Sequence, residues 1–144
     1  MIRHLAIAGC MGLAVYVGAD SVNPLFVVDG DTVRTDATIY RIHNIDAPEL
    51  TRPRCLKEET LAVMAKQRLY ELTRGEFVMR HVACWHKTER NPRDNYGRTC
   101  IALQVKTPAE GWQDAGEILI SEGLAVRFGR GRPKGTPING LSGL

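Results

Sequence analysis

Apolar positions fall in short strand-like runs at the two ends of the middle region and at helical spacing in two other places. Leu25 to Val28 is an apolar run that stops at Asp29-Gly30-Asp31. Thr32 to Arg34 and Thr38 to Ile45 read as two further strands, with Thr35-Asp36-Ala37 as the hairpin turn between them. Pro48 and Pro53 interrupt regular structure before the first helical pattern. From Leu56 to Thr73, Leu61, Met64, Ala65, Leu69 and Leu72 recur every three or four residues and predict an amphipathic helix with those residues inward, ended by Gly75. Phe77 to Trp85 and Thr99 to Val105 predict strands, joined by a polar, Arg-rich loop with a turn signal at Asn91-Pro92. A second helix is expected from near Asp114, where Asp114 and Glu117 have capping-box spacing, with Ile118 and Leu119 inward and a stop at Gly123. The order of three strands, helix, two strands, helix predicts an α+β domain and suits a five-stranded OB-type β-barrel with two or so packed helices. Periodicity alone allows another compact mixed topology equally well.

Composition narrows the picture in three respects. The 144 residues, 44% of them hydrophobic, fit one domain with its own core. Lys and Arg total 19 against 16 acids, a formal charge of +3, which excludes a protein that coats nucleic acid by charge alone. Positive charge is instead local, in Arg52 and Arg54, in Arg90, Arg93 and Arg98, and in Arg127, Arg130, Arg132 and Lys134, runs that are also read as solvated faces. At the start, Arg3 and His4 precede an uncharged, Gly- and Ala-rich run from Leu5 to Ala19, and Val17-Gly18-Ala19 offers small residues before a cut at Asp20. The expectation is therefore a signal peptide over 1–19, a domain over 20–128, a flexible Gly- and Pro-rich tail over 129–144, and a secreted or periplasmic product with no stable membrane span. Ile7-Ala8-Gly9-Cys10 allows the rival reading of lipoprotein anchoring at Cys10. Export leaves Cys55, Cys84 and Cys100 in an oxidising setting, and adjacent antiparallel strands over 76–85 and 98–106 would make Cys84 and Cys100 the preferred pair. No Cys or His spacing brings four zinc ligands together.

Candidate chemistry rests on Asp29, Asp31, Asp46 and Glu49, all placed where strands run into loops. If the chain brings them together, their mutual repulsion calls for raised pKa values or a neutralising cation. An all-oxygen set built on loops favours Ca²⁺ or Mg²⁺, and suits the looser demands of Ca²⁺. Arg41 lies five positions before Asp46, and Arg98 opens a strand after Tyr96-Gly97. Guanidinium groups match phosphate oxygens and stay charged, so the two arginines could hold a phosphodiester and stabilise its five-coordinate transition state. Taken singly, Asp29-Gly30 also reads as a turn, Arg98 as an ion-pair partner of Asp94, and Arg41 as an exposed strand residue.

Three blocks, Val28-Asp-Gly-Asp-Thr-Val33, Tyr40-Arg-Ile-His-Asn-Ile-Asp-Ala-Pro-Glu49 and Asp94-Asn-Tyr-Gly-Arg98, resemble in order and internal spacing the signature blocks of the thermonuclease (staphylococcal nuclease-like) family. The likeness extends through Ala65 to Leu69 and Gly116 to Ala125, and so covers most of residues 25–127. It implies an OB barrel with helices, and a Ca²⁺-dependent, sugar-nonspecific nuclease acting on DNA and RNA, expected as a monomer. Position by position, it implies that Asp31 and Asp46 supply carboxylate ligands to Ca²⁺ and the Ala47 carbonyl a further one. Glu49 falls on the catalytic glutamate, Arg41 and Arg98 on the phosphate arginines, Asp29 on an acid that shapes the metal site, and Tyr96 on a tyrosine of the nucleotide pocket. The chain departs from the pattern in its Gly- and Pro-rich tail, where the family has a long helix. It also has Gly129 where the family has a pocket aromatic, with Phe128 able to substitute from the next position. The first hairpin is shorter, and the loop from His86 to Arg93 is longer and more basic. Two rival readings are a noncatalytic OB module that grips single-stranded nucleic acid and a phosphodiesterase acting on another phosphate ester.

Overall fold

The computed structural model describes residues 16–18, 25–88 and 90–129, so Cys10, most of the expected leader and the tail beyond Gly129 lie outside the described residues. In chain order the elements are β1 (Tyr16–Gly18), β2 (Phe26–Asp29), β3 (Thr32–Arg34), β4 (Ile39–Ile42), β5 (Ile45–Asp46) and α1 (Leu56–Leu72). They continue with β6 (Phe77–Val82), β7 (Thr99–Thr107), β8 (Gly111–Asp114), α2 (Ala115–Ser121) and β9 (Val126–Arg127). Seven strands form one mixed sheet in the order β1-β6-β7-β4-β3-β2, with β8 paired to β7 off that path. β4 and β7 run parallel and the other pairs are antiparallel.

The fold is thus α+β with two helices, and its sheet is open rather than the closed five-stranded barrel expected above. One cause is local. The expected strand over 38–45 is broken by a turn at His43 and Asn44, and the two residues beyond it, Ile45 and Asp46, pair with β9 in a separate ribbon. β8 was not foreseen, because its four residues Gly-Trp-Gln-Asp carry little strand signal and are recruited as the return arm of a hairpin on β7. Strand β6 stops at Val82 instead of reaching Trp85, and Trp85 lies in a turn. Removal of residues 1–19 would take away β1 and leave β6 as the edge of the sheet.

The core lies between the sheet and the two helices, where Val33, Ile42, Ile45, Leu69, Ile101, Leu103, Val105 and Leu119 are fully buried. Helix α1 turns Ala62, Ala65, Leu69 and Leu72 inward, whereas Met64, expected on that face, is half exposed. The small residues explain the difference. A Cβ on Gly30 would stand 2.7 Å from the Cβ atoms of both Ala47 and Ala65, so the β2–β3 turn, the segment after β5 and α1 meet at a distance that only glycine and alanines permit. The start of α1 has no capping side chain at Cys55, and instead Glu58, in the first turn of the helix, accepts the Arg54 N–H at 2.5 Å and its guanidinium at 3.2 and 3.3 Å. At α2 the expected cap forms, Asp114 accepting the Glu117 N–H at 3.0 Å. Cys84 and Cys100 form a disulfide, and Cys55 is a free, exposed cysteine. Among the described residues no helix is long and apolar enough to cross a membrane.

Candidate functional site

A cavity of about 450 Å³ opens where the strand ends of one half of the sheet face the loop between β6 and β7. Its wall includes Asp29, Asp31, Arg41, Asp46, Glu49, Tyr96 and Arg98, seven of the eight residues singled out from the sequence. The pairing explains why they meet. The β3–β4 hairpin sets Thr32 against Arg41 and sends the Ile42 N–H to the Asp31 carbonyl at 2.9 Å, which brings Asp31 beside Arg41. The parallel β4–β7 pair sets Tyr40 against Thr99 and Arg41 against Cys100, so Arg98 enters from the same end. The β5–β9 ribbon then carries Phe128 to the rim, its N–H donating to the Asn44 carbonyl at 2.8 Å.

Asp31 is the buried centre of the acidic half, 4% exposed. Its Oδ2 accepts the Ala47 N–H at 2.8 Å, and its Oδ1 accepts the Thr32 hydroxyl at 2.9 Å and the Arg41 guanidinium. The other terminal nitrogen of Arg41 donates to Asp46 Oδ1 and to the Ile45 carbonyl, each at 3.0 Å. Burial acts to lower the Arg41 pKa, but the charges of Asp31 and Asp46 outweigh it and raise the value. Asp29 shows the opposite imbalance. Burial, then the neighbouring Asp31 charge, push its carboxyl up to about 6. Asp31 and Asp46 thus share one guanidinium with Asp29 beside Asp31, an excess of negative charge that a divalent cation would offset, and the carboxylate oxygens fit Ca²⁺ or Mg²⁺. Among the described residues, no three His, Cys, Asp or Glu side chains are already arranged as a metal shell, since Arg41 bridges Asp31 and Asp46. Ala47, expected to offer its carbonyl, is buried, stands outside the cavity wall and meets Asp31 through its N–H.

In the same cavity Arg98 is oriented by Asp94. The Arg98 Nε donates to Asp94 Oδ2 at 2.6 Å, and Asp94 Oδ1 accepts the backbone N–H groups of Arg98 and Tyr96 at 2.8 and 2.9 Å. Burial acts to raise the Asp94 pKa, but these hydrogen bonds and the Arg98 charge hold it below the ordinary aspartate range. The ion pair with Asp94 that the sequence also allowed is therefore present, yet it uses only Nε of the Arg98 side chain, and the two terminal nitrogens make no hydrogen bond among the described residues. Glu49 is exposed on the cavity wall and makes no hydrogen bond or ion pair among them. Tyr96 is 84% exposed, with the Arg98 guanidinium 5.3 Å from its ring centre.

Several lining residues were not foreseen. His43 follows Arg41 by two positions, so strand alternation was a usable signal for it, and its Nδ1 lies 3.2 Å from the Ile101 carbonyl, which requires that nitrogen to carry the proton if the contact is a hydrogen bond. Trp85, His86 and Lys87 come from the β6–β7 loop, where no periodicity marks them. A larger hollow, about 590 Å³, lies beside α2 and β8, but Glu110, Asp114, Glu117 and Glu122 give it an acidic wall that disfavours phosphate. A scan of protein-family models and a search of curated proteins both return no match for this chain.

Proposed function

We propose that this chain is a Ca²⁺-dependent, sugar-nonspecific nuclease that hydrolyses phosphodiester bonds of DNA and RNA, exported by its N-terminal leader and active as a monomer. The observation that supports it best is the convergence of Asp31, Arg41, Asp46, Glu49 and Arg98, from separate segments, on one cavity. On this reading Asp31 and Asp46 hold the cation, and Asp29 adds negative charge beside it. The cation, when bound, offsets phosphate charge and makes phosphorus more open to attack. Arg41 and Arg98 bind the phosphate together, Arg98 with the terminal nitrogens that Asp94 leaves unused. Glu49 takes the proton of the attacking water as the new P–O bond forms and the ester P–O bond breaks, and the departing alkoxide is protonated from solvent. The disulfide fits an oxidising destination.

The same reading gives the fold a finer interpretation. In the exported form, where β1 has left with the leader, β2, β3, β4, β7 and β6 remain as five strands in sheet order, with β4 and β7 parallel. That order suits a five-stranded OB-type barrel. A noncatalytic module for single strands remains the rival, favoured by one observation: Arg41 is already bound to two carboxylates. The discriminating experiment incubates purified protein with heat-denatured DNA, with Ca²⁺ and with chelator. Cleavage that chelation abolishes is expected, whereas tight binding without cleavage in Ca²⁺ would overturn the enzyme in favour of the module.

A further inference from the structure

We infer, resting on the nuclease reading, that Trp85 is the surface on which an unpaired nucleobase stacks, and that it makes the site selective for single-stranded substrate. The segment after β9 offers no aromatic at Gly129, and the backbone there leaves no room for one. A Cβ at Gly129 would stand 2.9 Å from the six-membered ring of Trp85, at a φ of +93° that side chains rarely adopt. The indole, delivered from the opposite loop, covers that backbone. Two features hold it there. Trp85 follows Cys84 directly, so the disulfide to Cys100 anchors its backbone beside β7. His86, itself at a φ of +62°, packs edge-on against the indole with ring centres 4.5 Å apart. A non-glycine residue in the left-handed region at a cavity rim marks a loop conformation maintained by its surroundings.

The other rim aromatics are differently engaged. Phe128 has the Arg41 guanidinium 5.8 Å from its ring centre, and Tyr96 has Arg98 at 5.3 Å, whereas no guanidinium covers Trp85 among the described residues. Trp85 keeps 36% of its surface exposed and lines the same cavity as both arginines. A phosphodiester gripped by those arginines would therefore lie in the same cavity as the exposed part of the indole, within reach of its base. Stacking on an aromatic face tolerates any base but requires that the base has left the duplex.

The test compares wild type, Trp85→Ala and Trp85→Phe on a single-stranded oligonucleotide and on the same oligonucleotide made abasic. Trp85→Ala should raise KM for the base-bearing strand on the order of tenfold, the loss of one base stack, with kcat and the abasic reaction held, and Trp85→Phe should recover most of the difference. An unchanged KM, or an equal loss on both substrates, overturns the inference. The second tryptophan, Trp112, lies on β8, so a Trp112→Phe background isolates Trp85 fluorescence. Quenching by the base-bearing strand and not by the abasic one supports stacking even if wild type cleaves neither, an outcome that sinks the nuclease reading alone; no selective quenching overturns the stacking itself.

Discussion

Arg98 illustrates how much one side chain can be asked to do. Its Nε is fixed on Asp94 while its terminal nitrogens stay unpartnered among the described residues, so the fork is aimed before any ligand arrives. A lysine could keep the Asp94 ion pair or reach a phosphate, but not both. We expect Arg98→Lys to lower kcat/KM on single-stranded DNA about a hundredfold, the scale of one preorganised electrostatic donor. Glu49→Gln should cause a loss of similar order with no change in melting temperature, because Glu49 is exposed and makes no hydrogen bond or ion pair among the described residues. A parallel fall in melting temperature would assign Glu49 a structural role instead. At this scale the acids and both arginines were legible, since short motifs fix residue types at strand ends. Trp85 was not, because what gives it meaning is the bare backbone of Gly129, 44 positions further on by the numbering.

Among the elements, the β2–β3 turn depends most on its neighbours. Gly30→Ala would place a methyl 2.7 Å from the Cβ atoms of Ala47 and Ala65, two positions with no flexible end to swing aside. We expect a loss of roughly 1–3 kcal/mol, the usual cost of overpacking, read as a lower urea midpoint with unchanged slope. The same displacement would move Asp31 relative to Ala47, whose N–H it accepts. Helix α1 shows what periodicity can and cannot give. Its extent over 56–72 followed from spacing, but its buried face is set by contact with that glycine turn, which requires Ala65 there and leaves Met64 outward. For α2, the cap at Asp114 is local chemistry and appeared where the sequence placed it.

For the molecule as a whole, the Cys84–Cys100 bridge spans a sequence separation of 16 and closes the loop that carries Trp85, Tyr96 and Arg98. Its removal in a Cys84→Ser, Cys100→Ser double variant should cost about 3 kcal/mol in stability, the chain-entropy value for a loop of this length. On the nuclease reading, turnover should fall further than the folded fraction does, because the loop that carries Tyr96 and Arg98 into the cavity is then no longer closed. Unfolding and turnover measured with and without dithiothreitol check both. Acid should also destabilise the molecule through two carboxyls. Asp94 lies below its ordinary value because hydrogen bonds from Arg98 and Tyr96 outweigh burial, and Glu117 lies below its own because the Arg127 guanidinium donates to it. A depressed folded-state value means stability that is fully present above about pH 4, the unfolded value, and is lost as pH falls through the folded one. Asp94→Asn should therefore flatten the acid limb of stability below about pH 4, as followed by urea midpoint against pH; an unaltered limb would deny the linkage.

The amino-acid sequence by itself determined the elements with strong local signals, the helix over 56–72 and the cap of α2, together with the residue types offered at the strand ends. These depend on spacing, turn chemistry and hydrogen bonds a few residues long. Only the tertiary structure decided that β4 runs parallel to β7, that Ile45 and Asp46 leave the sheet to pair with β9, and that Trp85 covers Gly129. Those outcomes depend on pairing and packing between segments far apart in the chain, where each contact is favourable only once the others have brought it within reach.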